Sequence, residues 1–211
     1  VTVEKWYFGE APLPEVVELA GVLRELTSAV LSLESAPPEL GELTEALREA
    51  QRRLAAAGPR DPSPRIGEHA VAEQRVYVDH SRDIGDYNPC FPDYQLQVEG
   101  TEGHGTVEFA VCYEGPPGIV HGGFLAVLFD CVLQQLNCDL GLAGKTAELA
   151  LRFRRPTPLL TPLVVHATRS LEGTRIHSHA ELLLDGQVLC EADMSAAVGD
   201  RAALPLVSPR R

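Results

Sequence analysis

Apolar residues recur at helical intervals near the start of the chain. Val16, Leu19, Ala20, Val22, Leu23, Leu26, Val30 and Leu33 keep a 3.6-residue period from Pro14 until Pro37-Pro38 stops it. A second run over residues 39–57 sets Leu40, Leu43, Leu47 and Leu54 among Glu and Arg, and Gly58-Pro59 ends it. Two such amphipathic helices are not stable alone. The pattern therefore predicts a helical arm, within residues 1–60, that buries its apolar stripes on the main domain or on a second copy. Residues 61–71, where Pro62, Pro64 and Gly67 punctuate polar sequence, read as a linker.

Beyond the linker the period shortens toward 2. Residues 72–79, 94–99 and 105–113 have strand composition, the last with Val107, Phe109 and Val111 on one face. A long helix follows from near Gly122 to about Cys138, and then strands over 146–153, 162–170, 175–184 and 188–198. Gly173 and Asp185-Gly186 mark hairpin turns. Strands, one central helix and an antiparallel run make an α+β domain over 72–200, with a tail at 201–211. This order argues against a doubly wound nucleotide-binding fold.

The central helix holds the candidate chemistry. Leu125, Leu128, Phe129, Val132, Leu133 and Leu136 fall on one broad apolar face, and Ala126, Asp130, Gln134 and Asn137 on a narrower polar stripe. A carboxylate between Phe129 and Cys131 is either a reactive group, a hydrogen-bond hub or a solvent-facing residue. Just before the helix lies His121-Gly122-Gly123, after a Gly115-Pro116-Pro117-Gly118 turn. Paired glycines admit a ligand close to the backbone, and first-turn amides suit an anion or the developing charge on a thioester or ester oxygen. They serve equally as a plain turn, with His121 as a structural imidazole; the residues alone leave both readings open.

Composition narrows the field. A length of 211 residues, 45% hydrophobic and 23% charged, fits one main folded core. Thirty acidic against 18 basic residues give a net charge of −12, which disfavours nucleic acid as a partner. Arg152, Arg154 and Arg155 form either a local site for a phosphorylated small molecule or a solvated strand edge. Five cysteines without CxxC spacing read as reduced thiols of a cytoplasmic protein, and no apolar run reaches membrane-spanning length. The first ten residues lack signal-peptide character, although a chain that begins at Val1 leaves a trimmed targeting segment open. His177 and His179 share a strand face but find no third metal ligand, and no G-x-S-x-G elbow occurs. Asn88, in DIGDYNPCFP, is a turn cap or a loop residue at an acyl entrance.

Taken together, YEGPPGIVHGG, Asp130 nine residues after His121, and Thr146 in AGKTAELALRFRRP resemble the hotdog-fold acyl-CoA thioesterases. The resemblance is greatest to the branch of the human mitochondrial long-chain enzymes, which carry GPPG ahead of HGG; it covers roughly residues 72–198. It implies a strongly curved antiparallel sheet wrapped round the central helix, a homodimer or dimer of dimers, and hydrolysis of an acyl-CoA thioester. It also implies Asp130 as nucleophile or general base, Gly123 or Gly122 as amide donor to the thioester oxygen, His121 as positioner of that turn, and Thr146 as the hydroxyl assisting the carboxylate or water. Arg152, Arg154, Arg155, Gly122 and Asn88 are the candidates for holding CoA, which is part of the substrate; no metal or separate cofactor is expected. Smaller bacterial relatives place Asn six residues before the histidine, where this chain has Gly115. A non-catalytic acyl-thioester binding protein and an enzyme acting on acyl-carrier-protein thioesters are the alternatives.

Spacing adds two expectations. Eight residues from Gly122 to Asp130 span about 12 Å of helix, too far for both to address one carbonyl, and a second, antiparallel copy can close the gap. Alternation along 146–153 puts Ala147, Leu149, Leu151 and Phe153 on the core face and leaves Thr146, Glu148 and the arginines opposite.

Overall fold

A computed structural model describes residues 14–57, 83–138 and 144–198. The expected strand at 72–79, the linker and the C-terminal tail lie outside the described residues. Two helices, α1 (Pro14–Leu31) and α2 (Glu39–Ala57), form the arm. Next come β1 (Tyr94–Glu99), β2 (Glu102–Val107), α3 (Gly122–Cys138), β3 (Gly144–Phe153), β4 (Leu163–Glu172), β5 (Arg175–Leu184) and β6 (Gln187–Val198). The segment expected as one strand over 105–113 divides. Its first part belongs to β2, and Val111–Tyr113 turns as a 3-10 helix that seats buried Tyr113 under α3, its ring edge-on to Phe124.

Among the described residues, six antiparallel strands pair in the order β1-β2-β4-β5-β6-β3. One face of β4, β5 and β6 is buried at every second residue, as period-2 strands with a single covered side require. That face carries Val165, Ala167, Ile176, Ala180, Leu182, Ala192, Met194 and Ala196, all 3% exposed or less. The small alanines let α3 approach closely, and its Leu128, Phe129, Val132, Leu133 and Leu136 are fully buried against them. Asp185 and Gly186, at φ 48° and 74°, make the tight turn between β5 and β6.

The expectation of a sheet strongly curved round the helix is overturned. The sheet is large, antiparallel and hotdog-like, but it is not strongly curled or closed: among the described residues β1 and β3 are separate, unjoined edges. A helix about 10 Å wide is covered by a few strands spaced about 4.8 Å apart. The main packing of α3 is accordingly on β3 to β6.

The arm docks through α1. Buried Arg24 donates through Nη1 to Gly85 O at 2.5 Å and pairs through Nη2 with Asp93 Oδ2 at 3.3 Å. Ala20 is buried beside it, and Ser28 Oγ accepts from Cys112 N at 3.2 Å. In contrast, α2 has no buried residue, and Leu47 and Leu54 face solvent.

Candidate active site

The turn before α3 is built by backbone hydrogen bonds. Gly115 N donates to Ile119 O at 2.8 Å, Ile119 N to Pro116 O at 2.9 Å, and His121 N to Tyr113 O at 2.9 Å. Gly118 takes φ +77°, open to glycine, and its N donates to Glu114 Oε1 at 2.7 Å. A side chain at Gly115 would put its Cβ 2.8 Å from His121 Cα. An asparagine at position 115 therefore does not fit this turn unless His121 shifts.

The two glycine amides differ. Gly123 N donates to Nδ1 of His121 at 3.0 Å, so the imidazole caps the helix. The cap requires Nδ1 to be unprotonated, which places the ring proton of a neutral His121 on Nε2. Gly122 N, by comparison, makes no hydrogen bond among the described residues. Sequence left Gly122 and Gly123 as alternative donors; geometry leaves Gly122 with the free amide. Phe153 lies over it, with Cζ 3.2 Å from where a Cβ of residue 122 would sit. Phe153 was expected in the core, yet it is 60% exposed.

Two turns further along α3, Asp130 is half-buried, and Thr146 Oγ1 donates to its Oδ1 at 2.9 Å. Simple alternation would have sent Thr146 to the opposite face. A β-bulge reverses it: Thr146 pairs with Ala196 and Glu148 with Ser195, so Ala147 is an extra residue in β3. Exposed Ala147 takes up the phase, and Thr146 joins Leu149 and Leu151 on the helix side. Gln134, on the same stripe as Asp130, donates through Nε2 to Thr146 Oγ1. Sequence reading placed Gln134 on that stripe without a role, and its i+4 spacing from Asp130 was the available signal. Asn137, also on the stripe, is fully buried and accepts from Ser178 Oγ at 2.8 Å, a bond between helix and sheet. Next to Asp130, the Cys131 thiol is pushed up to about 12, first by burial and then by the Asp130 charge.

The arginines divide as well. Arg152 Nη1 contacts Asp193 Oδ2 at 2.6 Å and Glu191 Oε1 at 3.5 Å, and Arg154 Nη2 contacts Glu191 Oε1 at 2.6 Å. The Asp193 carboxyl is held low by His179 first and Arg152 next, and Glu191 by Arg154. Arg155 alone of the three has no ion pair among the described residues. Asn88 Oδ1 accepts from Cys90 N at 3.1 Å and so closes its own turn. His179 Nδ1 lies 2.8 Å from Asp193 Oδ1, and among the described residues no group of three or more His, Cys, Asp or Glu side chains could hold a metal. Nor is any described helix long and apolar enough to cross a membrane.

The structure thus joins Asp130 to Thr146 and His121 to Gly123, but among the described residues no hydrogen bond links one pair to the other. An acceptor-only carboxylate with one oxygen held, and a free helix N-terminal amide, are parts suited to acyl transfer.

Comparison with known proteins gives a consistent fold. A crystal structure of a thioesterase superfamily protein superposes with a TM-score of 0.74 at 28% identity, covering 90% of this chain and 99% of the other. Acyl-coenzyme A thioesterase THEM4 of Bos taurus is 38% identical over 64 residues, covering 30% of this chain and 26% of the bovine protein. The protein of that name from Mus musculus is 34% identical over 64 residues, covering 30% and 27%. The match therefore spans about a quarter of the length of these curated relatives. No protein-family profile matches the chain.

Proposed function

We propose that this chain, a hotdog-fold member of the thioesterase superfamily, hydrolyses an acyl-CoA thioester to a carboxylic acid and free CoA at a site shared by two copies. The observation that carries the reading is the Thr146–Asp130 hydrogen bond at 2.9 Å. A half-buried carboxylate on an otherwise apolar helix is costly unless it is partnered. Here the partner holds Oδ1 and leaves Oδ2 without an internal donor among the described residues.

The chemistry follows from those groups. Acting as base, Asp130 takes a proton from water as the water oxygen attacks the thioester carbonyl; the C–S bond then breaks and the proton passes to the departing CoA sulfur. Acting as nucleophile, Asp130 displaces the thiolate to form a mixed anhydride, which water cleaves. In both routes the free Gly122 amide receives the oxygen's developing charge. His121, by capping Gly123, holds the turn that aims it. Arg155 is the cation for the CoA phosphates, because Arg152 and Arg154 are already neutralised by Asp193 and Glu191.

Gly122 and Asp130 lie about 12 Å apart along one helix, so we assign the amide to one copy and the Asp130–Thr146 pair to the other. The open β3 edge, which carries Thr146, is the surface through which a second copy joins the sheet. The GPPG turn and the short matches to THEM4 support placement near that branch.

The test is thiol release from a panel of short, long and aromatic acyl-CoAs, with the same chains on acyl-carrier protein as a second arm. Turnover of an acyl-CoA is expected. Saturable binding of every member without thiol release would replace the enzyme by a binding protein.

A further inference from the structure

We infer that Gln134 is a positioning residue for the site proposed above, on which this inference rests: its amide fixes the Thr146 hydroxyl so that the proton points at Asp130. Gln134 follows Asp130 by one helical turn, so both side chains rise from one face of α3. Gln134 Nε2 donates to Thr146 Oγ1 at 2.5 Å, and Thr146 Oγ1 donates to Asp130 Oδ1 at 2.9 Å.

The direction of this relay is set from its acidic end. An ionised carboxylate only accepts, so the single hydroxyl hydrogen of Thr146 goes to Asp130. The threonine oxygen then offers lone pairs alone, and of the two ends of a glutamine amide only the nitrogen can approach it. Gln134 therefore removes a competing orientation of the hydroxyl, and Asp130 is held by Oδ1 with Oδ2 left to the reaction. The neighbouring glutamine has a different task. Gln135 is 2% exposed and binds Asp83 N, Tyr94 OH and Leu96 O, tying loop and sheet to the helix. Gln134 is half-buried, and its one hydrogen bond among the described residues is to the Thr146 hydroxyl.

The experiment is steady-state hydrolysis of the best acyl-CoA by wild type, Gln134→Met, Gln134→Glu, Thr146→Ala and each Gln134 variant combined with Thr146→Ala. Gln134→Met is expected to lower kcat roughly five- to tenfold, with KM changed less than about twofold. Gln134→Glu keeps the shape but presents a second acceptor that draws the hydroxyl away from Asp130, so its loss should be at least as large. In the Thr146→Ala background neither change should cost anything more, because the group it acts through is gone. Equal losses with and without Thr146, or full kcat in both single variants, would overturn the inference while leaving the thioesterase reading intact. A wild-type protein without thiol release would overturn that reading, and this one with it. If one single variant does not fold, the other carries the same cycle.

Discussion

Thr146 and Asp130 meet at 2.9 Å because the residue between Thr146 and Glu148 is surplus to the strand pairing. Without the bulge at Ala147, a period-2 strand that sends Leu149 and Leu151 to the helix would send Thr146 away from it. Deleting Ala147 is therefore expected to leave a folded sheet but to lower hydrolysis at least as far as Thr146→Ala does. Circular dichroism checks the fold and thiol release the activity. Undiminished turnover would mean that Thr146 has no part in the site.

Asp130→Asn preserves size and the capacity to accept from Thr146 but removes charge and basicity. Hydrolysis is expected to fall by about a hundredfold or more, the usual weight of a general base. Thr146→Ala should cost about tenfold, the scale of one hydrogen bond to a charged group. Saturating steady-state assays on both variants check the ranking, and a reversed order would move the main role from Asp130 to Thr146.

A shared site predicts complementation. Gly122→Pro deletes the free amide at the first helical position, where proline is tolerated. Asp130→Ala deletes the carboxylate. Each homodimer should be nearly inactive, whereas a purified heterodimer has one boundary with both groups intact and should recover about half of wild-type activity. A folded heterodimer at background would show that the two groups do not serve one site across copies.

Asp86 gives a prediction for stability. Its carboxyl is pushed up to about 6, by burial first and then by Asp83 and Asp93, against a lowering by Gln95 and Arg24. With the folded value above the unfolded one, its stabilising contribution is complete below pH about 4 and is lost as pH rises through about 6. Asp86→Asn should therefore gain on wild type across that window and be the more stable protein at neutral pH. Urea midpoints of both proteins from acid to neutral pH measure the difference; a gap that does not widen with pH would contradict the assignment.

The helix and its buried face were legible because six apolar residues at 3.6 spacing leave one arrangement against a sheet, and the turns at Gly173 and Asp185-Gly186 were legible from residues that accept positive φ. The division at residue 108, between the end of β2 and the Val111–Tyr113 turn, was not, since Val107, Phe109 and Val111 keep strand spacing through it. The face of Thr146 was misread for a related reason: a bulge adds a residue without changing composition. The choice between Gly122 and Gly123 depended on where the His121 ring turns, and the engagement of Arg152 and Arg154 on strands paired 37 to 41 residues away. Openness of the sheet depends on how far its edges travel round the helix, and no local pattern records that distance.

One strand, β3, both ends the sheet among the described residues and carries Thr146. An unjoined edge is a site of association between chains. On the shared-site reading, the step that covers this edge is also the step that completes the chemistry. A solitary chain would then keep its core and its Asp130–Thr146 pair and yet be inert, so the amount of working enzyme would follow mass action in the chain itself before any substrate arrives.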